Sequence, residues 1–401
     1  MAKIEDLVFV NSLYLQRGGR KIYRNRFAET VQNDVYIKDH LSRHANISYG
    51  PAIIDYHDDG ELRIDIRPNV RRKHVYLFHP FRGYDGEHDS NIGDKALRLI
   101  LDGIAGVGRA DKITLVAPYL PYGRGDWPDG PRVPVPAKQE AVSLEEAAIG
   151  KLAHVFTFDM HANQAIAYFG HIRPDNLPFV NVFVDAIRDD IISHRDNLGS
   201  LSLDAGGGKR NEMLYKRAKK VLGGQEIPSF WIDKRRPRPG DAKVAYCSGE
   251  PENLVLLSFD DIAGSVNTIS VAAKATKEKG ASRLIVAATH GILSDRYDRR
   301  TDTSKAALDT LRESGAMLYV SNSLPHAERL AMENPDILRV LSLEPTVARA
   351  IYETETGGSV SALYRDSEDR NEYEGIPFTD EDGQTWNIAK DGSLVKPPDS
   401  G

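Results

Sequence analysis

A single cysteine, Cys247, stands among 401 residues, so the chain cannot close an internal disulfide and its fold rests on packing. No apolar run approaches the roughly 20 residues that span a bilayer, which removes the helical membrane proteins. Neither sign of charge prevails: 52 Lys and Arg face 58 Asp and Glu, and the net charge of −6 argues against a protein that coats nucleic acid. No repeat of fixed period points to a solenoid. The first residues, MAKIEDLVFVNS, set acids where a secretory leader needs unbroken apolar sequence, so a cytoplasmic protein is expected, with neither membrane nor nucleic acid as partner. What is present is 41% hydrophobic and 27% charged residues, enough for a globular chain of two or three domains.

Short β-branched and aromatic runs alternate with helix-period stretches, the pattern of an α/β protein with mainly parallel sheets flanked by helices. Strands are predicted at 74–78, 113–119, 154–161, 201–203, 229–232, 254–259, 283–290 and 317–322, and a helix over 268–279 closed by Gly280. The strands before and after about residue 178 each suffice for one sheet. Domains are therefore expected at 1–178 and 179–345, followed by a terminal helix and polar tail over 346–401, where Asp, Glu, Gly and Pro dominate the last stretch.

Several segments carry residues suited to chemistry. Asp260 and Asp261 close an apolar run and precede the predicted helix. In an open parallel sheet this is where ligands bind, and paired acids there hold hydroxyls or a metal. Ser265, Asn267 and Thr268 stand at the start of that helix and can donate to an anion, although Ser265 or Thr268 serving only as a helix cap is the plainer alternative. LSLDAGGGKR (201–210) is a strand, three glycines and a helix start. It is either an ordinary turn or an anion cradle, and Asp204 favours the cradle because a divalent cation could bridge acid and phosphate. Lys234, Arg235, Arg236 and Arg238 crowd one Pro-rich stretch, a solvated loop or a cationic arm able to close over a polyphosphate. His161 follows Asp159 at a strand end, where a core histidine and a phosphate-side histidine are both open. The loop 122–138 offers Arg124, Asp126, Arg132 and Lys138 to an anionic ligand.

In order along most of the chain, the segments DDGELRIDIRPNVRRKHVYLF, APYLPYGRGD, RVPVPAK, FDMHANQ, PDNL, LDAGGGKR, IDKRRPRP, DDIAGSVNT and THGILS resemble the ribose-phosphate pyrophosphokinases. The resemblance implies two phosphoribosyltransferase-like domains with the site between them, assembled as homo-oligomeric dimers or hexamers. It implies transfer of pyrophosphate from ATP, with Mg²⁺, to the anomeric 1-hydroxyl of ribose 5-phosphate. On the ATP side it assigns Asp59, Glu61, Arg124, Asp126 and His161, with Asp59 and Glu61 lent by a neighbouring subunit. Asp204, Ala205, Gly206 and Gly207 match the pyrophosphate loop, and His161 and Asp204 the Mg²⁺-linked positions. Lys234 and Arg236 match the catalytic Lys-x-Arg pair. Asp260, Asp261, Ser265, Val266, Asn267 and Thr268 match the sugar-phosphate loop.

The chain departs from this family in that loop, where Gly264 replaces the third acid, Ser265 a threonine and Asn267 a glycine. Asparagine can still reach a left-handed conformation, but its side chain adds bulk where backbone donors would wrap a terminal phosphate. Arg124-Gly125 replaces an Arg-Gln pair. An acceptor whose 5-phosphate continues into a further group, ADP-ribose, fits the altered loop. A non-catalytic regulatory homologue is a further alternative.

Overall fold

The computed structural model describes residues 6–15, 22–23, 26–81, 90–128, 130–235, 244–298, 303–363, 377–379, 385–388 and 394–395. Eight strands form the first sheet: β1 (Leu7–Leu15), β2 (Ile22–Tyr23), β3 (Ile47–Tyr56), β4 (Leu62–Ile66), β5 (His74–Phe78), β6 (Lys112–Val116), β7 (Leu152–Phe158) and β8 (Asp175–Leu177). Their order is β4-β3-β1-β5-β6-β7-β8, with β2 paired to β1. Only the β3–β4 and β1–β2 pairings are antiparallel. The second sheet runs β11-β10-β9-β12-β13-β16-β17. Its strands are β9 (Leu198–Ser202), β10 (Ser229–Arg235), β11 (Val244–Cys247), β12 (Val255–Ala263), β13 (Arg283–Gly291), β16 (Met317–Ser321) and β17 (Leu338–Leu341), with a hairpin of β14 (Arg296–Asp298) and β15 (Thr303–Lys305) between. All its pairings are parallel except β10–β11.

β5 reads HVYLF and is buried throughout, as a parallel strand covered on both faces must be. One face of the first sheet packs under α2 (Ser90–Asp102) and α3 (Pro136–Ala147), and the outer face of the second under α7 (Asn267–Glu278) and α8 (Ala307–Ser314). The remaining faces share one core, in which Phe9, Phe156, Phe179, Phe183, Phe259 and Ile285 meet. This common core sets the two sheets in a fixed relation, so their carboxyl edges can face one crevice.

The N-terminal stretch supplies β1, which sits in the middle of the first sheet between β3 and β5. The helix α10 (Glu344–Thr356) buries Val347, Ala348, Ala350 and Ile351 in the shared core. Near its end Glu355 accepts from Tyr76 Oη at 2.6 Å and pairs with His74 Nδ1 at 2.9 Å, both on β5. Beyond it, Pro377–Thr379, Thr385–Ile388 and Leu394–Val395 pair as three short antiparallel strands, where the sequence suggested only a polar tail.

Candidate active site

Strand β12 does not stop before the acids: Asp260 and Asp261 are its sixth and seventh residues, and the chain stays extended to Ala263. Strand alternation then turns Asp261 inward, 2% exposed, and leaves Asp260 half-buried. His161 Nδ1 donates to Asp261 Oδ2 at 2.6 Å. Arg210, in the first turn of α6 (Gly208–Val221), donates from Nη2 to the His161 carbonyl at 2.7 Å and lies 3.2 Å from Asp261 Oδ1 and 3.6 Å from Asp260 Oδ1. Residues some hundred positions apart in the chain thus form one charged cluster, with Arg210 at its centre. Nothing in the segment LSLDAGGGKR singles out Arg210, because its pairing partners lie on β12 and beyond the end of β7 in the other sheet.

The cluster sets two neighbouring carboxyls apart. Burial works against the Asp261 charge, but the His161 hydrogen bond and the Arg210 guanidinium outweigh it and hold the carboxyl at about 2. Burial and the adjacent Asp261 charge push Asp260 up to about 7, with Arg210 opposing. The hydrogen bond to Asp261 raises the pKa of His161 against partial burial.

Asp159 belongs to the seam between the sheets. β7 ends at Phe158, and Asp159 turns into the left-handed region (φ 33°). Its carboxylate accepts from Thr289 Oγ1 at 2.6 Å and from the Phe179 amide at 2.9 Å, so it fastens the two sheets. Burial raises it to about 6 despite those bonds. His290 joins the same seam: its Nε2–H donates to the Phe158 carbonyl at 3.0 Å, and burial keeps the ring neutral with a pKa of about 4.

After β9, Asp204 caps a single turn of Ala205–Gly207, its Oδ1 accepting from the Gly207 amide at 2.9 Å, and α6 follows at once. The acid therefore occupies one of the amides that the cradle would offer an anion. A Cβ at Gly207 would lie 3.0 Å from Ser202 Oγ, a tight contact. β10 and β12 flank β9 in the sheet, so Lys234 on β10, the 204–207 turn and the twin acids share one carboxyl edge. The backbone of Lys234 pairs with Ala245; Arg236 lies outside the described residues.

Val266, not Asn267, adopts the left-handed conformation (φ 50°), and neither Ser265 nor Thr268 caps the helix, which starts at Asn267 with Val266 as its N-cap. A β-branched residue is strained there, and its burial at 3% exposure holds it in place. At Gly264 a Cβ would stand 2.8 Å from Arg124 Nη2, the movable end of a long side chain, so the guanidinium of the first sheet's loop lies beside the position of the missing acid. Gly125 is likewise forced, because a Cβ there would lie 2.7 Å from Pro136 Cδ. Asp126 is tied down by Gln164 Nε2 at 2.5 Å.

Asp59 and Glu61 are not brought to this cluster. They sit in the exposed turn between β3 and β4, the edge of the sheet opposite to β7 and β8, where the Glu61 amide donates to Asp59 Oδ1 at 3.0 Å. Among the described residues no group of three or more His, Cys, Asp or Glu could hold a metal ion, and no helix is long and apolar enough to cross a membrane.

Two mainly parallel sheets with acids, a glycine turn and a cationic strand at a shared edge define an enzyme with paired phosphoribosyltransferase-like domains. Comparison narrows the class. The family model for the N-terminal domain of ribose phosphate pyrophosphokinase matches residues 29–148. The ribose-phosphate pyrophosphokinase of Brucella melitensis is 31% identical over 328 residues, covering 82% of this chain and 96% of that protein. That of Aquifex aeolicus is 30% identical, covering 82% and 95%. The phosphoribosylpyrophosphate synthetase structure from Mycobacterium smegmatis shares the fold with a TM-score of 0.67 at 22% identity, covering 88% of this chain and all of that one. The chain belongs to the ribose-phosphate pyrophosphokinase family.

Proposed function

We propose that the chain transfers the β,γ-pyrophosphate of ATP to the anomeric hydroxyl of ribose 5-phosphate, with AMP leaving. The observation that carries this reading is the junction of His161, Arg210, Asp260 and Asp261 at the edge shared with the 204–207 turn and β10. Asp260 and Asp261 would hold ribose hydroxyls, and Ser265 to Thr268 the 5-phosphate. His161, Arg124 and Asp126 would face ATP, and Asp59 and Glu61 would serve a neighbouring copy in a homo-oligomer, which accounts for their distance from the cluster. Residues 1–178 then form the ATP side and 179–345 the sugar-phosphate side, with 346–401 following. Mg²⁺ would arrive with ATP and neutralise phosphate charge; the Asp204 carboxylate, a hard oxygen donor at the turn, fits it with phosphate and water completing the shell. Lys234 and Arg236 would meet the charge that develops on the pyrophosphate, so catalysis rests on positioning and electrostatics with no covalent nucleophile.

A second acceptor, ADP-ribose, is favoured by the guanidinium of Arg124 over Gly264. A cation in place of a carboxylate beside the 5-phosphate loop suits an acceptor with a second phosphate. Purified chain given Mg²⁺, ATP and each acceptor separately tests both readings through AMP release. Faster turnover with ribose 5-phosphate supports the first and faster turnover with ADP-ribose the second. Release with neither overturns both and leaves a regulatory homologue.

A further inference from the structure

Arg210 stands where the acceptor has to bind. Both oxygens of Asp261 are engaged, Oδ2 by His161 Nδ1 at 2.6 Å and Oδ1 by the Arg210 guanidinium at 3.2 Å. Asp260 Oδ1 accepts from the Asp261 amide at 2.9 Å and has Arg210 Nη1 3.6 Å away. A ribose hydroxyl that donates to these acids therefore meets oxygens already in use. The hold on Arg210 is uneven. Its short contact is the bond from Nη2 to the neutral His161 carbonyl at 2.7 Å, whereas its distances to the acids exceed the roughly 2.7–2.9 Å of a strong charge-assisted hydrogen bond. The side chain is also 21% exposed, so a ligand can reach it. The crevice that Arg210 lines is lined as well by Gly206, Lys209 and His161, so the guanidinium shares one open space with the glycine turn.

We propose that Arg210 is a positioning residue that links the two substrates: ribose hydroxyls compete with its guanidinium for the carboxylate oxygens of Asp260 and Asp261, and the displaced guanidinium pairs with phosphate at the 204–207 turn. This role rests on the reading of the twin acids as the hydroxyl site and adds the means by which that site senses the nucleotide. Arginine suits such an exchange because its planar fork pairs with carboxylate and phosphate alike. Phosphate draws the cation from the acids, and hydroxyl donors make good its loss there. Each substrate thus favours the other, by the same factor in both directions. Ribose 5-phosphate and ADP-ribose both bring ribose hydroxyls, so the exchange serves either acceptor.

Calorimetry on the full chain measures the link, with Mg²⁺ and α,β-methylene ATP, whose carbon bridge blocks transfer, as the nucleotide. Ribose 5-phosphate and ADP-ribose are added separately, and the true acceptor is expected to tighten nucleotide binding about tenfold in the wild-type chain. Arg210→Gln is expected to bind each ligand alone with that factor reduced to about one, and Arg210→Lys, which keeps the charge, to retain part of it. In the wild-type chain 2-deoxyribose 5-phosphate, with one hydroxyl fewer, is expected to couple more weakly than ribose 5-phosphate. Absence of coupling in the wild type, wild-type coupling in Arg210→Gln, or equal coupling by the deoxy sugar overturns the exchange while leaving both substrate sites standing. Failure of nucleotide and both acceptors to bind at all sinks the underlying reading, and the exchange falls with it.

Discussion

Asp260 and Asp261 are chain neighbours with opposite charge behaviour, because strand alternation gives one of them the His161 and Arg210 contacts and leaves the other to be buried beside its charge. A free aspartate titrates at about 3.9, so Asp260, at about 7, holds a proton in the folded chain over a range where the unfolded chain has released it. Its burial therefore costs stability as pH rises from about 4 through 7 and no further beyond. Asp261 has the opposite sign: its contribution is present above about pH 4 and lost as pH falls through its depressed value. Asp260→Asn should gain about 2–4 °C in Tm over the wild type between about pH 5 and pH 8. Calorimetry showing a constant difference over that span would contradict the assignment. At the same scale, Lys234→Ala and Arg236→Ala should each lower kcat about 10²-fold or more while KM for ATP moves only a few-fold. Near-normal turnover in steady-state kinetics would remove the pair from the chemistry.

Among the elements, α10 ties the two ends of the molecule together. It follows the second sheet in sequence, packs in the core between sheets, and ends with Glu355 between His74 and Tyr76 of the first. Burial disfavours the Glu355 charge, but the His74 and Tyr76 hydrogen bonds more than offset this and lower its pKa. Glu355→Ala leaves two buried donors without their acceptor and should cost about 3–5 kcal/mol. Urea denaturation measures it, and a loss under about 1 kcal/mol would show that the contact does not anchor the helix. The periodicity of 268–279 found α7 to within a residue, whereas the left-handed turn ahead of it falls on Val266, whose residue type opposes that conformation. Tertiary burial of the valine decided that position, and no local rule anticipates it.

The whole molecule depends on how the two sheets are fastened. Thr289 and His290 of β13 bind Asp159 and Phe158 at the end of β7, two residues before His161, so the seam and the site share a backbone. Thr289→Val removes one donor from a buried carboxylate and should cost about 1–3 kcal/mol. Because His161 must then meet Asp261 across a looser seam, kcat should fall more than KM rises. Thermal denaturation and kinetics on the same variant check both parts, and a destabilised variant with wild-type kcat would separate the seam from the site.

Composition, strand-helix alternation and ordered motifs by themselves determined the α/β class, the two mainly parallel sheets and the family, because these are local signals written in residue type and spacing. The strands at 74–78 and 283–290 lie within a residue of their predicted limits, since buried parallel strands are continuous apolar runs. Only the tertiary structure decided that Arg210 bridges the twin acids, that Asp159 fastens the two sheets, and that the Arg124 guanidinium comes to lie beside Gly264. Each depends on which distant side chain arrives at a given point, and chain folding alone sets those distances.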